Sequence, residues 1–311
     1  MRVKFWGVRG SLPSPLHSIQ IKNKINDVLE KLTPNDLQSP EKRELFLSGL
    51  PYWLYGTVGG NTSCVTVQFK DCSELLVFDT GSGIREMGAA KFRVKPSRYH
   101  IFYSHFHWDH LMGFPFFIPA YNPSVEIDFY SPFPELEKNL HGQMKPPYFP
   151  IVMETMKSKK RFNIMTKPVE LLGATVFYRK MNHPGDSYSF KVKYGKRSFI
   201  YATDTELSPN DFFKNDENAA FFSGVDLMVI DSQYTVGEAI EKYNWGHNSF
   251  NTAVDFAANW NIKHVVLFHH DPEYDDQKLY EIFQSARTYI ERMNIKGIKI
   301  SLAVEGMDIT L

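Results

Sequence analysis

Six consecutive residues, His105-Phe106-His107-Trp108-Asp109-His110, restrict the fold more than any other feature of the chain. An apolar run over residues 99–103 leads directly into them and reads as a buried strand. On extended backbone, residues two apart point the same way, so His105, His107 and Asp109 share a side. His110 breaks that parity and joins them only if the chain turns after Asp109, as at the start of a helix. Two imidazoles then suit one zinc-like ion, and a carboxylate with an imidazole suits a second. The alternative is a histidine-rich surface loop, against which the apolar strand in front of the motif argues. Four donors cannot saturate two ions, so further ligands have to arrive from the ends of other strands.

Three residues stand where a buried strand emerges. His183 follows the strand over 176–181, in Asn182-His183-Pro184-Gly185. Asp204 follows the strand over 199–202, in Thr203-Asp204-Thr205, and His269 follows the strand over 265–268. A carboxylate such as Asp204 can bridge two cations through its two oxygens, which an imidazole cannot do. His270 adjoins His269, and position alone leaves either as the ligand. His100 and His264 stand at strand starts and read as ordinary surface or edge residues, while His17 and His141 show no role.

The remaining pattern says what these strands belong to. Residues 3–8 alternate apolar and polar and read as a strand, stopped by Gly7, Gly10, Pro13 and Pro15. Residues 19–47 look helical, interrupted at Pro34 and Pro40, and form a surface insertion at about 17–50 between strand-like blocks. A hairpin pair is predicted over 65–69 and 75–78, and a short helix over 84–91. The segment 114–150, with Phe114-Pro115-Phe116-Phe117 and Pro146-Pro147-Tyr148-Phe149-Pro150, predicts an irregular, aromatic-lined loop region at about 111–165. Strands are predicted again over 174–178, 187–194 and 197–201, with Gly195-Lys196 as a tight turn, then over 225–230 and 264–268. Helices are predicted over 250–260 and 277–293. Strands in runs, with helices between and after them, predict an α/β (α+β) layered sandwich in one domain over 1–311, not one doubly wound parallel sheet.

Composition narrows the class. The 311 residues are 43% hydrophobic, ample for a packed core. Lys+Arg and Asp+Glu balance at 35 each, which excludes a global attraction to polyanions and leaves room only for a local basic patch. The run Lys157-Ser158-Lys159-Lys160-Arg161 reads as a solvated face. Cys64 and Cys72 make no disulfide framework and read as reduced, buried thiols. The N-terminus lacks a signal-peptide core, and no apolar run approaches the roughly 18 residues of a membrane span. A soluble, cytoplasmic protein is expected.

The order His-x-His-x-Asp-His, then His183, Asp204 and His269, resembles the metallo-β-lactamase superfamily, from the first strand to His269. The resemblance implies an αβ/βα four-layer sandwich holding two divalent metal ions, zinc foremost, with manganese or iron admitted by the same donors. It implies that His105, His107 and His183 hold the first ion, that Asp109, His110 and His269 hold the second, and that Asp204 bridges. It also favours His269 over His270. Asp79, in Phe78-Asp79-Thr80-Gly81, matches the family's early aspartate, which supports a ligand histidine from behind. Without the resemblance it reads as a turn aspartate before Gly81.

Gly246-His247-Asn248-Ser249 opens the helix over 250–260. By position, His247 either meets an anion at a helix N-terminus and donates a proton there, or is solvated while Asn248 or Ser249 caps the helix. The segment is similar to the Gly-His-Ser-Thr-like motif of ribonuclease Z and its phosphodiesterase relatives, whose histidine acts near the scissile phosphate. Asp231, in Ile230-Asp231-Ser232-Gln233, matches in place the acid that positions this histidine, where the branch often has glutamate. The resemblance thus implies catalytic roles for His247 and Asp231 beside the ligand Asp109.

Two ions about 3.5–4 Å apart predict a hydrolase. A phosphodiesterase of small phosphodiesters is expected, with cyclic nucleotides among them, as the resemblance to cyclic-nucleotide phosphodiesterase-like members suggests. The alternatives are a metal-dependent thioesterase or lactonase, a tRNA 3′-processing-type ribonuclease, and a non-enzymatic metal-stabilised scaffold. The chain shows no Gly- and Pro-rich basic arm of the kind with which ribonuclease Z grips transfer RNA. Phe114, Phe116, Phe117, Tyr121, Tyr148 and Phe149 either stack a nucleobase or form a small core under a loop. The expected partner is a small phosphodiester substrate, with no membrane and no extensive nucleic-acid surface; the resemblance adds a homodimer.

Overall fold

Apolar runs without alternation mark strands covered on both faces. Leu75, Leu76, Val77 and Phe78 are all buried, and so are all five residues of the strands at 227–231 and 264–268. The computed structural model describes residues 1–311 and explains this by two seven-stranded sheets packed face to face. In chain order, β1 (Arg2–Gly7), β2 (Cys64–Gln68), β3 (Glu74–Phe78), β4 (Arg98–Phe102), β5 (Glu126–Ser131) and β6 (Lys159–Ile164) make the first sheet. Next, β7 (Val169–Leu171), β8 (Ala174–Met181), β9 (Ser187–Tyr194), β10 (Arg197–Ala202), β11 (Leu227–Asp231), β12 (His264–Phe268) and β13 (Lys299–Leu302) make the second. Finally, β14 (Asp308–Thr310) returns to pair with β1. Each sheet is parallel in one half, β3 to β6 and β10 to β13, and antiparallel in the other.

Alternation along the strands separates the layers. Leu76 and Phe78 face the second sheet, while Leu75 and Val77 face the helices outside. Between the sheets, Phe78 meets Phe102 of its own sheet and Phe190, Phe199 and Tyr201 of the other, with ring centroids 5.4 to 5.8 Å apart. The helices Gly83–Ala89 and Leu136–Gln143 cover the first sheet, and Phe250–Asn259 and Asp276–Arg292 cover the second. This is the four-layer αβ/βα sandwich. The helices Ser18–Lys31 and Pro40–Gly49 bury no residue fully. The first of them is pinned by Lys24, whose ammonium bonds the Asp276 carboxylate and the Gly56 carbonyl.

Several expectations need correction. The stretch 111–165 is not one irregular loop: it contains β5, the helix Leu136–Gln143 and β6, all part of or packed on the first sheet. Buried charge hid β5 from the apolar pattern, because Asp128 sits inside it, held by Arg98 at 2.5 Å and Arg161 at 3.1 Å. The basic run at 157–161 opens β6, where Lys159 and Arg161 pair with Glu126 at 3.7 and 3.0 Å. His100 and His264 are buried, not edge residues; His100 Nε2 lies 2.7 Å from Glu74 and His264 Nε2 2.9 Å from Ser301. Cys64 and Cys72 are both free, with Cys64 buried and Cys72 half-buried. No helix is long and apolar enough to cross a membrane.

Candidate metal centre

Parallel strands deliver their C-terminal ends to one edge, where open α/β sheets place their sites. Asp79 follows β3, His105 and His107 follow β4, Asp204 follows β10, Asp231 ends β11 and His269 follows β12. His183 arrives from β8, which runs in the same direction as β10. Asp79, Asp204 and His269 all have left-handed backbone, with φ of 57°, 47° and 61°. Such a conformation is uncommon outside glycine, is best tolerated by Asp, Asn and His, and persists only where the surroundings fix it.

The motif itself turns earlier than expected. His107 is extended, and the helix starts at Trp108, so Asp109 and His110 both lie in its first turn. His105 and His107 therefore converge by strand alternation, and Asp109 and His110 by helical rotation.

The donors assemble into two overlapping sets. His105, His107, His183 and Asp204 form one group whose ligand atoms all lie within 4.8 Å of one another, and Asp109, His110, Asp204 and His269 form another. Asp204 belongs to both: its Oδ2 is 3.6 Å from His105 Nε2 and 3.7 Å from His183 Nε2, and its Oδ1 is 3.1 Å from the Nε2 atoms of His110 and His269. Asp109 Oδ2 lies 3.1 Å from His110 Nε2 and 3.3 Å from His269 Nε2. A tetrahedron of bonds of about 2.0–2.2 Å has edges of roughly 3.3–3.6 Å, close to these spacings. His105 Nε2 and His110 Nε2 are buried without a hydrogen-bond partner, which is costly unless a cation takes their lone pairs. The residues present therefore fit two cations.

Hydrogen bonds behind the donors fix their tautomers. Asp79 accepts from His110 Nδ1 (2.8 Å), Ser104 N (2.8 Å), Ser104 Oγ (2.7 Å) and Tyr201 Oη (2.9 Å). Ser104 Oγ in turn lies 3.0 Å from His105 Nδ1, so one carboxylate orients two histidines. His183 Nδ1 donates to the Gly246 carbonyl at 3.0 Å, and His269 Nδ1 meets Gln233 Oε1 at 3.1 Å. Ser11 N donates to Asp109 Oδ2 at 2.8 Å. Gly246 has φ of 88°, and a Cβ there would sit 2.1 Å from His183 Nδ1, so only glycine admits that histidine. His270 points away, its Nε2 bonding the Ala303 carbonyl at 2.9 Å, and stays outside both sets.

Protons and carboxylates compete strongly here. Burial would depress His269, but Asp204, Asp109 and Asp231 outweigh it and push its pKa up to about 10. His110 is likewise held well above the usual range by Asp109, Asp204 and Asp79 against its burial. Burial and the neighbouring His110 drive His105 well below it. Burial would raise Asp204, yet His110, His269 and His105 hold it well below the usual carboxylate range. Cations bound among these groups would displace protons.

His247 stands beside both sets, partly exposed. Its Nδ1 donates to Asp231 Oδ2 at 2.7 Å. Its ring lies 5.1 Å from that of His269 and 5.3 Å from that of His183. Asp231 is buried and also accepts from Asn248 N at 3.0 Å, so the aspartate holds both the imidazole and the loop that carries it. The helix cap is Ser249, and Asn248 instead ties the loop to the Thr205 carbonyl. Among the aromatic residues, Phe114 and Phe117 are core, whereas Phe116 and Tyr148 are exposed, with Phe116 packed on Phe149. Ser11, Ser104, Tyr201 and Gln233 had no distinguishing signal in the sequence beyond, for Ser104 and Gln233, nearness to His105 and Asp231.

A family model described as a beta-lactamase superfamily domain matches residues 75–270. A ribonuclease Z of Picrophilus torridus is 24% identical over 280 residues, covering 71% of this chain and 84% of the relative. A diphosphatase of the PhnP family superposes with a TM-score of 0.62 at 18% identity, covering 99% of this chain and 97% of that one. Zinc-bound PqqB from Methylobacterium extorquens superposes with a TM-score of 0.65 at 12% identity, covering 100% of each chain.

Proposed function

The chain belongs to the metallo-β-lactamase superfamily, and on that premise we propose that it is a binuclear-metal phosphodiesterase acting on small phosphodiesters, cyclic nucleotides among them. In this reading His105, His107 and His183 would hold one ion, Asp109, His110 and His269 would hold the other, and Asp204, which belongs to both donor sets, would serve each. Zinc fits the histidine-rich set best. The chemistry that bound divalent cations supply is Lewis-acid stabilisation of charge on phosphoryl oxygen and a lowered pKa of water.

The observation that carries the reading is His247 on Asp231. With Nδ1 given to the carboxylate at 2.7 Å, Nε2 is the atom left to carry a proton to the leaving alkoxide. Asp231 selects that tautomer and stabilises the imidazolium. Asp79 and Ser11 keep the donor atoms of His110 and Asp109 aimed inward. An alkoxide needs such an acid far more than an acyl thiolate does, which favours a phosphodiester over a thioester. The names of the relatives, ribonuclease and diphosphatase, support the same choice. A cytoplasmic homodimer completes the proposal, and a sedimentation run that finds only monomer removes that part.

Substitution His247→Ala should leave the metal content intact and slow an unactivated diester by about a hundredfold or more. Bis(p-nitrophenyl) phosphate, whose leaving group needs no proton, should lose much less. Equal loss on both substrates, or none on either, removes His247 as the acid. Faster turnover of p-nitrophenyl acetate than of any diester would favour a thioesterase or lactonase, and cleavage of precursor tRNA alone would favour the ribonuclease.

A further inference from the structure

A groove of about 940 Å³ lies along β8 and β9, bounded by the helix Asp216–Phe222, and none of the metal donors lines it. Seven of its eighteen lining residues are Lys or Arg, against one carboxylate, Glu217. The chain as a whole carries equal numbers of both signs, so this excess is built into one place. Arg179 pairs with Glu217 at 2.9 Å, Lys180 with Asp186 at 2.7 Å and Arg197 with Asp226 at 3.6 Å. Lys167, Lys191, Lys193 and Lys196 line the groove with no carboxylate within ion-pair distance.

Two of the lysines share one strand face. On β9, Ser189, Lys191 and Lys193 alternate with the core residues Phe190 and Val192 and so share the outer face. Lys191 is buried, and its ammonium is fixed on the Ala220 carbonyl at 2.9 Å. Arg179 Nε and Ser189 Oγ, directly opposite one another in the β8–β9 register, are buried polar atoms without a partner. Burial and Lys193 lower the Lys191 pKa, a penalty that an anion would relieve. Phe177, opposite Lys191 in the β8–β9 register, shares this outer face, whereas Tyr178 and Tyr188 alternate to the other face, where Tyr188 packs on Phe133. Tyr188 N donates to the Ser104 carbonyl at 2.9 Å, so one end of the groove abuts the metal loop.

Unpaired ammonium groups in a track beside the ring of Phe177 match the way single strands are held: phosphates by charge, a base by stacking. We infer that this groove binds single-stranded nucleic acid through its phosphate backbone. The eight residues of β8 span roughly 26 Å, enough for several nucleotides. The inference does not depend on the phosphodiesterase reading, and it departs from the expectation drawn from net charge.

The test is fluorescence anisotropy with a labelled oligodeoxythymidylate of about twelve nucleotides on the metal-loaded protein. The three exposed, unpaired cations Lys167, Lys193 and Lys196 predict that log K falls with log salt at a slope of about −2.1, roughly a twentyfold loss between about 50 and 200 mM. The double variant Lys193→Gln, Lys196→Gln should reduce the slope to about −0.7. Its thermal midpoint, unchanged from the parent, verifies folding whatever the protein hydrolyses. Absence of binding at the lower salt overturns the inference, as does an unaltered slope in the folded double variant. Displacement of the strand by inorganic tripolyphosphate at equal phosphate concentration overturns it too, because it shows an anion site indifferent to bases.

Discussion

Asp79 shows how much one side chain organises. It accepts four hydrogen bonds, from His110, Ser104 twice, and Tyr201, and belongs to neither donor set itself. Asn in its place keeps the left-handed turn but presents an N–H where His110 needs an acceptor. Asp79→Asn should therefore weaken metal binding by roughly 10- to 100-fold, measured by competition with a chromophoric chelator. Unchanged affinity would mean that His110 is oriented by the fold alone. The same scale explains the choice between adjacent histidines. His269 has left-handed backbone and faces the cluster, while His270 is spent on the Ala303 carbonyl; Arg9 and burial keep His270 neutral, with its pKa lowered to about 3.

At the scale of elements, strand ends matter more than strand bodies. Just past the ends of β3, β10 and β12 the chain takes left-handed backbone at Asp79, Asp204 and His269, and the helix Trp108–Leu111 adds two donors in its first turn. The other end of β12 carries a different consequence. His264 is buried there, and burial together with Lys299 lowers its pKa from 6.5 to about 4. Unfolded chain then binds the proton that folded chain refuses, so stability falls as pH drops from about 6.5 towards 4 and not further below. The loss from this group is up to about 3 kcal/mol. Urea midpoints of the metal-free protein across this window should fall less steeply for His264→Gln than for the parent; parallel curves would show that His264 gains its proton without cost.

For the whole molecule, the donor clusters act as a clasp. The β4 loop of the first sheet supplies His105, His107, Asp109 and His110, and the second sheet supplies His183, Asp204 and His269. Cations between them would cross-link two layers otherwise joined by apolar packing and a few hydrogen bonds, such as those from Tyr201 to Asp79 and from Tyr188 to Ser104. Metal present at about 100 times its Kd adds roughly 2.7 kcal/mol per site. Chelation should therefore lower the thermal midpoint by at least about 5 °C, restored by adding zinc. A midpoint indifferent to both would show that no cation bridges the sheets.

Which residues gather into the two donor sets was legible in the sequence because it is local chemistry: His and Asp at fixed offsets beside apolar strands leave few other uses for those residues. The layered class was legible for the same reason, since periodicity reports which faces are covered. The tertiary structure alone decided three things. It placed β5 and β6 in the first sheet, where Arg98 and Arg161 neutralise a buried Asp128 that breaks the apolar pattern. It recruited Ser11, Ser104, Tyr201 and Gln233, whose roles depend on atoms up to 122 positions away in the chain. It also gathered lysines from separated segments into one groove on a molecule of zero net charge, because net charge is a sum over residues and carries no record of where folding puts them.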